Sequence, residues 1–126
     1  MRLAGWGLAV SCLMLAACTQ GTSPGPASLA SLRAMELAEV CRIDEALDAL
    51  DRELDAADPG SLRFAVALQE KAVLYRDTNA DEDAGSLEQR LAELKGLPPD
   101  EVRGETLRDV AALRQRRAAI NGEPTC

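Results

Sequence analysis

The sequence contains no histidine, the side chain that serves most often as a general base and as a zinc ligand. Its absence excludes catalytic triads of the serine, histidine and aspartate type. Paired carboxylates occur at Asp44-Glu45 and at Asp100-Glu101, but they fall on helix faces that we expect to be solvated. Such positions give no reason for a pKa in the catalytic range. We therefore predict that the protein is not an enzyme and binds no cofactor.

Aromatic residues and positive charge are also scarce. The 126 residues include one Trp, one Tyr and one Phe, and 21 acidic residues stand against 14 basic ones. Proteins that bind nucleic acid need a positively charged surface and aromatic side chains that stack on bases. We therefore expect no nucleic-acid partner and no basic patch that binds anionic lipid.

A long apolar run is found only at the N-terminus, where residues 3–15 follow Arg2. A run of about thirteen residues is too short to cross a bilayer core of about 30 Å as a helix. A positive residue, a short apolar run and small residues before a cleavage point are the three parts of a secretory signal. Residues 1–17 are therefore predicted to be a cleaved signal peptide.

The end of that run, Leu15-Ala16-Ala17-Cys18, resembles the lipobox of bacterial lipoproteins. The resemblance implies that the chain is cut before Cys18 and that this cysteine carries acyl chains that hold the protein on a membrane. Two or three such chains hold a protein essentially permanently. In this family an aspartate after the cysteine retains the protein at the inner membrane, and the residue here is Thr19. The resemblance thus implies the periplasmic face of an outer membrane; an ordinary cleaved signal and an uncleaved anchor are the alternatives.

Two regions make up the predicted mature chain. Residues 18–27 comprise the acylated cysteine and a small, polar, Gly- and Pro-rich stretch, which predicts a flexible tether. Residues 28–126 are long enough for one small helical domain and not for two. Without Arg2, 13 basic residues remain against 21 acidic ones, a net charge of −8. We therefore expect an acidic domain that stands off the membrane.

The sequence has four cysteines, of which Cys12 leaves with the signal and Cys18 is the acylation site. In an oxidising compartment the remaining pair, Cys41 and Cys126, predicts a disulfide. Chain entropy gives a stabilisation of about 4.5 kcal/mol for closing a loop of about 86 residues. Two free thiols, or a bond between two molecules, are the alternatives.

Helical periodicity fills the domain, and no strand pattern is found. The clearest apolar spacing predicts a long first helix over residues 28–57, with Ser28 or Ser31 as its N-cap. Pro59 follows this helix, and proline cannot continue it.

A second helix is predicted over residues 62–76, with Ser61 as its N-cap. Its apolar face is broad, since Leu62 and Val66 widen the main stripe. So broad an apolar surface predicts a central, buried helix.

Two further helices complete the predicted fold. Ser86 and Gln89 have the spacing of a capping box for the third helix, and Gly96 ends it. The fourth helix is predicted over residues 100–120, and its apolar stripe is imperfect because Arg117 falls in phase with it. The stripe comprises Val102, Thr106, Val110, Leu113 and Ile120. The sequence thus predicts an all-α fold, a small antiparallel bundle of about four helices; three helices with the short third one as a flap is the alternative.

The connection between the second and third helices is acidic and matches a calcium-binding pattern in part. Asp77, Asn79, Asp81 and Glu88 occupy positions 1, 3, 5 and 12 of an EF-hand loop. The pattern requires glycine at position 6, where Glu82 stands, and there is no second loop. Weak calcium binding is therefore an alternative hypothesis to a plain acidic connection, and no other metal site is expected.

Three basic residues, Arg114, Arg116 and Arg117, lie near the end of the fourth helix. Positive charge at this place suits the negative end of the helix dipole. A contact surface for an acidic partner or for lipid headgroups is the alternative.

These features favour a non-enzymatic lipoprotein that binds or escorts another envelope protein through a surface of the helical bundle. Size, lipid anchor, helical content and cysteine pair resemble those of the small α-helical pilotins, lipoproteins that escort secretins to the outer membrane and contain a disulfide. The resemblance is one of build and includes no motif residue. A spacer lipoprotein without a dedicated partner is the alternative, and an apolar groove on the bundle distinguishes the two.

Overall fold

The structure is a computed structural model that describes residues 29–126, which form five helices and no strand in that range. The predicted signal peptide, Cys18, the tether and Ser28 lie outside the described residues. The all-α prediction is confirmed, with five helices where about four were expected. The helices are α1 (Leu29–Glu39), α2 (Ile43–Ala56), α3 (Leu62–Asp77), α4 (Asp81–Lys95) and α5 (Pro99–Asn121).

The long first helix predicted over residues 28–57 is wrong, because α1 and α2 are separate helices. The chain turns at Cys41, whose φ of +64° lies in the left-handed region. The Cys41 N–H donates to the Ala38 carbonyl at 3.1 Å and the Arg42 N–H donates to the Leu37 carbonyl at 2.9 Å. These two bonds are the Schellman pattern of a helix end. The turn contains no glycine or proline, so the apolar periodicity runs through it unmarked.

Helix α3 agrees with the prediction to within one residue. The Ser61 hydroxyl accepts from the Phe64 N–H at 3.2 Å, which confirms the predicted cap. Asn79, with a φ of +62°, turns the chain after α3, and the Ala80 N–H donates to the Tyr75 carbonyl at 2.8 Å. The central position is also confirmed, since α3 packs against each of the other four helices.

Helix α4 begins at Asp81, so the capping box predicted at Ser86 and Gln89 is wrong. Ser86 lies inside the helix, where its hydroxyl donates to the Glu82 carbonyl at 3.2 Å. Three acidic residues in the first turn suit the positive end of the helix dipole instead of a side-chain cap. The predicted end at Gly96 is confirmed, with a φ of +67°. Because α4 packs against both α3 and α5, it is part of the bundle and not a flap.

Helix α5 agrees with the prediction over residues 100–120, but its buried face ends differently. Arg117 is fully buried, whereas Ile120, which the pattern placed in the stripe, is 55% exposed. The last buried residue of the stripe is therefore the charged Arg117. The buried residues of α5 are Val102, Thr106, Val110, Leu113 and Arg117.

Short connections make consecutive helices antiparallel, so the C-terminal ends of α1, α3 and α5 lie together. The bond between Cys41 and Cys126 is at this end, which we call the disulfide end. One core cluster joins α1, α2, α3 and α5, and a smaller one surrounds Phe64 and Leu91 where α3 meets α4. Within residues 29–126, no helix combines the length and the apolar character needed to cross a membrane.

Candidate functional site

The four residues of the predicted calcium loop do not come together as a metal site. Asp81 and Glu88 belong to α4, so only three residues connect α3 to α4. Arg76 donates to Glu88 at 2.5 Å and to Asp81 at 3.2 Å. Asp77 pairs with arginines of α5, and Asn79 is exposed at the turn. These four residues therefore do not form the loop that the alternative hypothesis of calcium binding requires. The part of the chain that the structure describes holds no group of three or more His, Cys, Asp or Glu side chains placed to bind a metal ion.

The three arginines near the end of α5 pair with acidic side chains of the domain, Arg117 in the core and Arg116 at an exposed position. Arg117 donates to the two carboxylate oxygens of Asp77 at 3.0 and 2.8 Å. Arg114 donates to Asp77 Oδ1 at 3.0 Å, and Arg116 donates to Glu39 at 2.6 Å. All three guanidinium groups thus have an acidic partner within the domain, and the suggested contact surface stays a hypothesis that concerns the exposed Arg116.

Arg117 also donates to backbone carbonyl groups of α1 and of the segment after α5. It donates to the Ala38 carbonyl, near the end of α1, at 2.7 Å and to the Pro124 carbonyl at 3.0 Å. Burial alone would raise the pKa of Asp77, but the hydrogen bonds and charges of Arg117 and Arg114 outweigh burial and hold that pKa below its ordinary value. This buried pair therefore fixes α5 and the chain after it against α1 and α3.

The predicted disulfide within one molecule is confirmed. Cys41 and Cys126 are bonded, with their Cα atoms 5.6 Å apart, and both residues are exposed. Together with the hydrogen bond from Arg117 to Pro124, the disulfide holds the segment after α5 against the disulfide end. These two cysteines thus have a structural role in the domain.

Helix α1 covers only part of the seam between α3 and α5. On the side toward the disulfide end, Met35 of α1 closes over a cleft of about 180 Å³ that Glu70 and Asp109 also line. Ser31, which lies inside α1 and is not its N-cap, forms a hydrogen bond with Glu70. Beyond Glu70, toward the start of α3, no residue among 29–39 lines the seam.

Among residues 29–126, the rest of the seam forms a groove. One cleft of about 220 Å³ is lined by Leu62, Ala65 and Val66 of α3 and by Asp109 of α5. A second cleft of about 290 Å³ shares Leu62 and Ala65 and extends to Leu94 at the end of α4. We call the two adjoining clefts the seam groove. Leu62 is 62% exposed and Leu94 45% exposed, and both line the second cleft.

The seam groove has a polar inner end, where Gln69 and Glu70 of α3 face Asp109 of α5. Gln69 Nε2 donates to Asp109 Oδ2 at 3.3 Å and to the Thr106 hydroxyl at 3.4 Å. Among the described residues, the buried atoms Gln69 Oε1 and Glu70 Oε2 have no hydrogen-bond partner. A buried acceptor without a donor costs about 1–3 kcal/mol, so this arrangement opposes folding.

Glu70 titrates well above the ordinary range of a carboxyl group. The pKa of Glu70 is raised to about 7, chiefly by burial and also by the charges of Asp109 and Glu53. The hydrogen bond from the Ser31 hydroxyl lowers this pKa but does not offset the other causes. Glu70 therefore loses its proton at a higher pH than an ordinary glutamate does.

The basic side chains that border the seam are engaged elsewhere. Lys95, which lines the groove, donates to Glu105 at 3.1 Å. Arg116, which lines the covered cleft, pairs with Glu39 of α1. Within residues 29–126 neither Glu70 nor Asp109 forms an ion pair, so the polar end of the groove lacks a cation of its own.

A larger depression of about 610 Å³ lies between α1 and α2. Leu29 and Leu37 contribute to it, but five of its nine lining residues are charged. Arg33 and Arg52 stand beside acidic residues of α2 there, so charges of both signs already border it. The depression is therefore less suited than the seam groove to an apolar segment of a partner.

The seam groove does not follow from the sequence pattern. That pattern places Leu62 and Val66 on the buried face of the second helix, whereas Leu62 is exposed. The one available signal is the polar run Gln69-Glu70-Lys71, which interrupts the apolar stretch of α3. The groove itself depends on how residues 29–39 lie against α3 and α5, which is a property of the tertiary structure.

Comparison of the chain with models of protein families, with curated proteins and with solved structures finds no match. Its function is therefore inferred from the chemistry of its own residues. The features available are the sequence around Cys18, the disulfide and the seam groove.

Proposed function

We propose that the protein is a non-enzymatic lipoprotein of the bacterial cell envelope that binds or escorts another envelope protein. The seam groove carries this proposal, because Leu62 and Leu94 border an apolar channel that α1 leaves uncovered. Open channels between helices commonly bind a helix or an extended segment of a partner. A spacer without a dedicated partner, the competing proposal, has no use for such a channel.

Two further features support an anchored protein on the periplasmic face of the outer membrane. The sequence ending in Cys18 resembles a lipobox, and Thr19 is not the aspartate that retains lipoproteins of this family at the inner membrane. The disulfide is typical of an oxidising compartment. Ten residues separate Cys18 from Leu29. A chain of that length spans at most about 40 Å when extended, so the domain can meet a partner close to the membrane.

The partner-binding proposal is tested by comparing two leucine variants in cells. Leu62→Asp places a charge in the seam groove, and Leu107→Asp places the same charge on α5 at a residue that is 50% exposed and lines neither cleft. After chemical crosslinking and purification of the tagged protein, the captured neighbours are quantified by mass spectrometry. We expect one dominant neighbour, reduced about tenfold by Leu62→Asp and unchanged by Leu107→Asp. A diffuse set of neighbours, insensitive to either change, would favour the spacer.

The anchor is tested separately by labelling with radioactive palmitate. The wild-type chain should incorporate the label, and Cys18→Ala should abolish incorporation because the acylated atom is removed. Equal labelling of both chains, or no labelling of either, would contradict the lipoprotein proposal while leaving the groove experiment unaffected.

A further inference from the structure

We propose that the segment bound in the seam groove presents a lysine or arginine side chain to Asp109 and Glu70. This inference rests on the proposed function and adds the chemistry of the partner. The apolar part of the groove would bind apolar side chains of the partner, and the polar inner end would bind its cation.

The two acidic residues stand on opposite sides of the seam at the inner end of the groove. Asp109 projects from α5 and is exposed, while Glu70 lies on α3 and is half-buried. Both line the open cleft and also the neighbouring cleft that Met35 covers. An incoming cation therefore contacts Asp109 directly and acts on the Glu70 carboxylate beneath it through a poorly screened, partly buried environment.

The two basic side chains that line these clefts, Lys95 and Arg116, are paired with carboxylates other than Glu70 and Asp109. Lys95 is paired with Glu105, and within the described residues no ion pair reaches Glu70 or Asp109. Two neighbouring carboxylates without a counter-ion repel each other, and a cation between them relieves that repulsion. Charge complementarity thus favours a basic side chain over a neutral or acidic one.

The walls of the groove also suit the stem of a long basic side chain. Leu62, Ala65 and Val66 lead from the open mouth toward Asp109. Lysine and arginine bury their methylene groups along apolar surface while the charged head remains at a polar site. The acidic balance of the chain, 21 acidic residues against 14 basic ones, further favours encounter with a basic partner.

Two other occupants of the groove are less compatible with this chemistry. Residues 18–27 contain no lysine or arginine, so the predicted tether has no cation to place beside Asp109. A second copy of this acidic chain would be repelled as a whole. Sedimentation of the purified protein tests the second case, since a dimer that Leu62→Asp dissolves would assign the groove to self-association and overturn the proposal.

The inference is tested with two synthetic amphipathic peptides that differ only in charge. One carries lysines beside a Leu and Ala face, and the matched peptide has glutamine in place of every lysine. Binding to the full acylated protein is measured by surface plasmon resonance in phosphatidylcholine nanodiscs, with empty nanodiscs as the reference. The variants are Asp109→Asn, Glu70→Gln and Leu62→Asp, and the control is Glu101→Gln, the loss of an exposed charge of α5 outside the groove. Circular dichroism verifies that each variant is folded.

We expect the lysine peptide to bind the wild-type protein about three- to fivefold more tightly than the glutamine peptide, as for a partly exposed ion pair. Asp109→Asn should remove most of this difference, Glu70→Gln should remove part of it, and Glu101→Gln should leave it unchanged. High salt should also abolish the difference.

The outcomes separate this inference from the proposed function. Equal affinity of the two peptides, with both weakened by Leu62→Asp, would overturn the cation and leave the groove as a binding site. Binding that is insensitive to Leu62→Asp, or no binding of either peptide, would count against the groove and hence against both proposals.

Discussion

Arg117 is the residue on which the disulfide end of the bundle depends. It is fully buried, bonds to both carboxylate oxygens of Asp77 and reaches the Ala38 carbonyl of α1. An ion pair of this kind adds little to stability when compared with apolar residues, but removal of one partner leaves a buried charge. The periodicity of α5 places Arg117 on the buried face, yet its partners lie on other helices and could not be read from the sequence.

The first prediction at this scale concerns Arg117→Met, which leaves Asp77 with Arg114 alone. We expect the free energy of unfolding in urea to fall by about 3 kcal/mol, because a buried charge loses its main partner. Arg103→Met, on the exposed side of the same helix, is the control and should change the value by less than about 0.5 kcal/mol. A loss below about 1 kcal/mol for Arg117→Met would show that the hydrogen bonds of Arg117 are not needed for the stability of the bundle.

Glu70 titrates in the neutral range. The groups that face it are the Ser31 hydroxyl of α1, Glu53 of α2, and Asp109 and Arg116 of α5. Its folded pKa of about 7 lies above the ordinary value of 4.5, so the native state binds the proton more tightly. Stability contributed by this group is therefore complete below the ordinary value and is lost as the pH rises through about 7. Glu70→Gln should remove that decline in melting temperature between about pH 5 and pH 8. An unchanged pH profile would contradict the assignment.

At the scale of elements, helix ends marked by glycine, proline or a capping serine could be predicted. Ser61 and Gly96 act as the pattern indicates. The turn at Cys41 could not be predicted, because a cysteine there adopts the left-handed conformation that glycine normally provides. The turn after α3 falls where the sequence predicts a connection, but it is shorter than expected, with Asn79 in the same left-handed conformation. The break at Cys41 divided the predicted first helix, and the early start of α4 made the serine cap at Ser86 wrong.

The element-scale prediction uses the turn between α3 and α4. Asn79→Gly should preserve or slightly raise the free energy of unfolding, whereas Asn79→Ala should lower it by about 1 kcal/mol, because a Cβ is disfavoured at a φ of +62° and asparagine tolerates it best. Gly60→Ala is the control, since a Cβ at that glycine meets nothing within 4 Å and its φ is not left-handed. If Asn79→Ala and Asn79→Gly unfold at the same denaturant concentration, the turn does not constrain the helix end.

At the scale of the whole molecule, the disulfide joins the turn after α1 to the segment after α5. The pairing could be predicted by counting cysteines once the N-terminal resemblance accounted for Cys18. The seam groove could not be predicted, because it depends on how far α1 reaches along α3 and α5. Periodicity assigns a residue to a helix face, but it does not show which neighbouring helix covers that face.

Removal of the disulfide is the prediction that belongs to this scale. The variant Cys41→Ser with Cys126→Ser should unfold with a free energy lower by up to about 4.5 kcal/mol, because the unfolded chain is no longer closed into a loop of about 86 residues. Urea unfolding of oxidised, reduced and doubly substituted protein measures this directly. Reduction should give the same value as the double substitution, and no change on reduction would contradict a structural role for the bond.

The proposed function requires an anchored helical domain that holds one partner in the seam groove. Its most direct test replaces Leu62 with a photo-crosslinking amino acid in living cells, alongside the same replacement at Leu107. We predict one discrete adduct from position 62, weakened when Cys18 is changed to alanine because anchoring concentrates the protein beside its partner, and no such adduct from position 107. No adduct from position 62, or the same adducts from both positions, would contradict the account.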